Sequence, residues 1–70
     1  RIQFTIPRTA DVKLIVYDIL GQEICILMDE MRSAGNYQVE WNASDYVSGI
    51  YFYKLVTDDF TFVRKMLLIK

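Results

Sequence analysis

The stretch Ser48-Gly49-Ile50-Tyr51-Phe52-Tyr53-Lys54-Leu55-Val56 constrains this chain more than any other. It is the longest unbroken aromatic and β-branched run in the sequence, with a glycine near its start and Thr57-Asp58-Asp59 at its exit. Residues of this kind fit a pleated, half-buried surface, and a short run bounded by turn signals reads as a strand buried on both faces. Such a strand lies in the interior of a sheet, so other strands have to flank and cover it.

The rest of the chain supplies them. Ile2, Phe4 and Ile6 alternate with Gln3 and Thr5, which predicts a strand with one wet face that ends at Pro7. Val12 to Tyr17 forms the next, its better apolar face made by Val12, Leu14 and Val16. Asp18 to Gln22 reads as a hairpin turn with Gly21 at a positive-φ position, and Glu23 to Met28 as the return strand. Asp29 to Asn36 is expected to be a surface loop into which Met31 dips. Tyr37, Val39 and Trp41 alternate with Gln38 and Glu40 in the cleanest period-2 pattern of the chain. After a polar loop comes the central run, and Asp58-Asp59 is expected to close a tight hairpin with left-handed geometry. Phe60 to Ile69 is the last strand. No window has helical periodicity, so the chain is all-β and antiparallel, a sandwich rather than a small barrel because the first and fourth strands are one-faced. The core is expected to comprise Phe4, Val12, Leu14, Val16, Ile24, Leu27, Tyr37, Val39, Trp41, Tyr51, Tyr53, Leu55, Met66 and Leu68.

Seventy residues form one small domain, which buries only about 60% of the surface its unfolded chain exposes, so apolar side chains are scarce. A net charge of −1 gives no electrostatic footprint for nucleic acid or an anionic membrane. No apolar run approaches the roughly 20 residues of a membrane-spanning helix. The pattern opens in mid-strand at Arg1, as expected of a segment cut from a longer protein.

Little catalytic chemistry is on offer. The chain has no histidine, the usual general base and metal ligand. Cys25 stands alone among Ile24, Ile26 and Leu27, as a small buried hydrophobe would. The paired acids Asp29-Glu30 and Asp58-Asp59 are read as soluble loop tips and turn formers, not cation ligands. Asn42-Ala43-Ser44 matches the N-glycosylation pattern, although a loop here needs such residues anyway. No cofactor is implied. Trp41, Tyr37, Tyr51 and Tyr53 fit either the core or a sugar-stacking platform, and inward parity in so small a domain favours the core. Tyr17, Phe52, Phe60 and Phe62 exceed what one buried face needs, and some of them are expected on an exposed interaction patch.

Five motifs follow one another along the chain. They are Ile2-x-Phe4-x-Ile6-Pro7; Val12-x-Leu14-x-Val16-Tyr17-Asp18-Ile19-Leu20-Gly21-Gln22-Glu23; Ala34-Gly35-x-Tyr37-x-Val39-x-Trp41-Asn42; Ser48-Gly49-Ile50-Tyr51-Phe52-Tyr53-Lys54-Leu55; and Arg64-Lys65-Met66-Leu67-Leu68-Ile69-Lys70. In this order they resemble the C-terminal sorting domain of proteins exported by the bacterial type IX secretion system. The resemblance implies an antiparallel immunoglobulin-like β-sandwich of six to seven strands at the end of a secreted cargo protein. It further implies a non-catalytic signal that directs the cargo through the periplasm and across the outer membrane to the surface of a Gram-negative bacterium. The implied partners are the outer-membrane translocon, a sortase-like protease that couples the cargo to surface lipopolysaccharide, and the cargo domain upstream in the same chain. Neither nucleic acid nor membrane insertion is implied.

On this resemblance the recognition residues are Gly49, Tyr51, Lys65 and Lys70. The Asn-Pro-rich segment that usually precedes the first strand of the family is not in the sequence. The immunoglobulin-like domain of the flagellar hook-capping protein is similar, but it lies within its chain, and a terminus at Lys70 favours the sorting domain. A carbohydrate-binding or structural accessory module of a secreted protein is the alternative.

Overall fold

The computed structural model describes residues 2–69, and its described residues contain six strands and no helix: β1 (Ile2–Ile6), β2 (Ala10–Tyr17), β3 (Glu23–Arg32), β4 (Gly35–Val39), β5 (Gly49–Thr57) and β6 (Thr61–Leu68). All pairings are antiparallel. One layer is the two-stranded ribbon β1-β4 and the other a four-stranded sheet in the order β3-β2-β5-β6. The one-faced first and fourth strands are therefore hydrogen-bonded partners. Ile2, Phe4 and Ile6 are buried, and Gln3 and Thr5 lie outside opposite Gln38 and Asn36. Both outer pairs hydrogen-bond side chain to side chain, at 3.3 and 2.7 Å. The long aromatic run becomes β5, flanked by β2 and β6 inside the larger sheet, as its composition requires.

The core lies between the layers. Ile2, Phe4, Ile6, Val12, Leu14, Met28 and Leu55 form its centre, with Tyr37, Val39, Tyr53, Phe62 and Met66 packed around them. Every expected core residue is at least half-buried. Ile2, Ile6, Ala10, Ile15 and Met28 are buried as well and are additions.

Several expectations are corrected. Strand β5 is not buried on both faces. Leu55 is buried against the ribbon and Tyr51 beneath Trp41 and Tyr46, whereas Phe52, Lys54 and Val56 are only half-covered and Ile50 is exposed on a face with no second layer. The proposed loop from Asp29 is strand as far as Arg32, because Ala10 to Lys13 pair with Arg32 to Asp29 and backbone pairing outweighs their charge. Met31, expected to dip inward, is exposed. Trp41 lies beyond the end of β4. Neither Asp58 nor Asp59 is left-handed, since no described residue other than glycine has positive φ. Thr57 shapes that turn instead: its Oγ1 accepts from the N–H groups of Asp59 and Phe60, and its own N–H donates to the Phe60 carbonyl.

Candidate functional site

Two surfaces carry the features singled out in the sequence. The first is the end of the sandwich where β5 begins. Here Tyr51, only 6% exposed, donates its hydroxyl to the Val47 carbonyl at 2.6 Å. Its ring meets Trp41 edge-on at 5.1 Å between centroids, and Tyr46 stands at 5.3 Å from Trp41. Tyr46 in turn donates to the Ile24 carbonyl at 3.2 Å. Buried tyrosines need such acceptors, and aromatic edges favour ring faces, so these three rings pin the 42–48 loop to the sheet. Gly49 sits at φ +156°, a conformation that side-chain-bearing residues rarely adopt. A Cβ there would meet nothing within 4 Å, so the backbone angle is what calls for glycine. Beside this cluster lies a groove of about 490 Å³ lined by Ile19, Leu20, Val47 and Ile50. All four are exposed.

The Trp41 indole N–H is buried and has no hydrogen-bond partner among the described residues. Burial pushes the half-buried Cys25 thiol up, and the indole N–H offsets this only in part. A thiol held in its protonated form is a poor nucleophile.

The second surface is the uncovered face and edge of β6. Phe62 and Met66 point at the core, while Val63 and Leu67 on the other face are 57% and 65% exposed. Between them Lys65 is exposed and opposes Phe52 of β5, and it forms no ion pair with a described residue. Arg64, on the core side, lies over the Phe62 ring at 5.3 Å. The structure thus separates the expected recognition residues. Gly49 and Tyr51 belong to the pinned end, Lys65 stands on the open face, and Lys70 lies outside the described residues.

Tyr17 and Phe52 do lie on the uncovered face, opposite one another and half-buried. Phe60 and Phe62 stack at 6.0 Å and pack on the core instead. None of the ten aromatics is exposed, and the exposed large apolar residues are all aliphatic or methionine. Among the described residues no three His, Cys, Asp or Glu side chains come together as a metal cluster. Sequence reading missed the partner of Asp59. Arg8 Nε donates to its Oδ2 at 2.6 Å and Nη2 to its Oδ1, tying the β1–β2 turn to the β5–β6 hairpin. Nothing local signals a pair 51 positions apart.

The described residues form a two-layer antiparallel β-sandwich whose four-stranded sheet leaves one face uncovered. The family model for the secretion system C-terminal sorting domain matches residues 1–70, and the chain belongs to that family. It is a sorting signal for type IX secretion cargo, a family not known for catalysis, and it marks the attached cargo for export to the cell surface or beyond. No curated protein and no solved structure matched the chain.

Proposed function

We propose that the domain is read by the outer-membrane translocon through the uncovered face of β6, where Lys65 makes a polar contact, and that Lys70 makes another. Gly49 and Tyr51 act one step back, holding the β5 end in the shape the translocon meets. A sortase-like protease then removes the domain and couples the cargo, carried upstream in the same chain, to surface lipopolysaccharide. One observation supports this reading most. Lys65 stands unpaired among the described residues, between exposed Val63 and Leu67, on a strand whose core duty needs only Phe62, Met66 and Leu68. Apolar side chains exposed in a domain short of them point to a partner.

The test fuses a fluorescent reporter ahead of the chain in a Gram-negative bacterium that has this secretion system. The parent fusion is expected at the cell surface. Lys65→Ala, at an exposed side chain, and Lys70→Ala are each expected to leave it in the periplasm. Export of both variants at the parental level would place the address elsewhere.

A further inference from the structure

We propose that the open edge of β6 takes up an extended protein segment carrying two acidic residues with two apolar residues on either side. This rests on the sorting reading, since such a segment would belong to the export machinery, and it names the chemistry by which that machinery holds the strand.

The two edges of the four-stranded sheet are β3 and β6, and they are finished differently. Edge strand β3 is broken by two register shifts, which leave Leu27 and Ile24 without opposite residues, and it carries Glu23, Asp29, Glu30 and Arg32. Bulges and charges of this kind are how edges are closed to further pairing. Strand β6 pairs with β5 in continuous register over eight positions, with neither proline nor bulge. It is thus the more regular of the sheet's two edges, although β3 is two residues longer. The ribbon strands β1 and β4 have five residues each and end at Pro7 or begin at Gly35.

The β6 sequence specifies what it admits. It reads Phe62-Val63-Arg64-Lys65-Met66-Leu67, two apolar, two basic, two apolar. Residues directly opposite in a paired strand share a face and lie close together, so opposite charges there attract and like charges repel. Arg64 and Lys65 project to opposite faces, so an incoming strand needs one carboxylate on each, and adjacent acidic residues provide that. Apolar residues before and after them cover Phe62 and Met66 on one side, Val63 and Leu67 on the other. No acid of β5 or β6 competes for the two cations. A second copy of this chain is disfavoured, because pairing two β6 edges about their centres sets basic residues against basic ones. The same two charges that reject self-pairing therefore select an acidic partner.

The test uses the isotopically labelled 70-residue chain and a capped peptide, Thr-Ile-Val-Glu-Glu-Val-Ile-Thr, with a Lys-Lys counterpart in place of Glu-Glu. The acidic peptide is expected to shift amide resonances of β6 and adjoining β5 and to slow hydrogen exchange at alternate β6 amides. The double variant Arg64→Glu, Lys65→Glu, whose side chains are exposed, should bind the acidic peptide about tenfold more weakly and the basic one correspondingly better. The idea is overturned if the parent shows no shifts at about 1 mM peptide. Shifts confined to β1, β3 or β4, or equal binding of both peptides, overturn it too. Concentration-dependent β6 shifts without peptide would assign the edge to a second copy. The reporter fusion separates the two levels: surface display without peptide binding sinks the acidic strand and leaves the sorting role, whereas peptide binding without display does the reverse.

Discussion

Tyr51 shows how one side chain holds an end of the sandwich. Replacing it by Phe keeps the edge contact with Trp41 but removes the bond to the Val47 carbonyl. The part-buried Val47 carbonyl then loses its partner, which costs about 1 kcal/mol, or roughly 4–8 °C in Tm for a domain of this size. Gly49→Ala separates angle from space. No atom obstructs a Cβ there, so a loss of about 1–3 kcal/mol in denaturant unfolding would come from φ +156° alone. An unchanged midpoint would show that β5 can start with an ordinary φ. Burial at this scale was legible wherever the signal was local. Ile2, Phe4 and Ile6 declare their face by alternation, whereas Ile15 gives no such sign. It is 5% exposed on the uncovered face of β2, opposite Ile26 and Lys54, and only strand neighbours brought together by folding account for that.

Among the elements, β3 was the hardest to read. Its Ile24, Cys25, Leu27 and Met28 are all at least half-buried while Ile26 between them is exposed, a pattern that does not follow a period of two. The register shifts explain it, and a shift depends on the partner strand, so the sequence of β3 alone could not show it. The β5–β6 hairpin was legible as a hairpin, though not in its chemistry. Asp59 is held below the usual carboxylate range first by its hydrogen bonds from Arg8, against a smaller opposing effect of burial, with the Arg8 charge adding to the lowering. Because its folded pKa is depressed, the stabilisation is present above the unfolded carboxylate pKa and is lost as pH falls through the folded one. Asp59→Asn should therefore flatten the acid limb of the stability curve and change its neutral plateau less steeply with pH. If urea midpoints for variant and parent fall in parallel from pH 5 to pH 2, the Arg8 contact does not act in solution.

For the molecule as a whole, the layers are unequal, with two strands covering four. A chain of this length has a stability of about 4–10 kcal/mol. Leu55 is fully buried where the layers meet, and Leu55→Ala should cost about 2–5 kcal/mol, a large share of that total. Circular dichroism should show the variant melting far below the parent or unfolded at 37 °C, whereas an exposed residue such as Val63 should tolerate alanine within about 0.5 kcal/mol. The sandwich class was legible from strand number and one-faced patterning. Which strands share a layer was not, because β1 and β4 pair across 29 to 37 positions of the chain, from Ile6 opposite Gly35 to Ile2 opposite Val39. The position of β6 has a mechanical consequence. It has one neighbour, and its far end, Leu68 opposite Gly49, is the end of the hairpin remote from the turn at Asp58-Asp59. A pull on the chain beyond Leu68 loads the ladder one rung at a time from that open end, as a zipper is loaded, while the bonds of β2 to β3 and β5 stay off the line of force. The strand at the rim can thus be peeled away under tension before the rest of the sandwich yields.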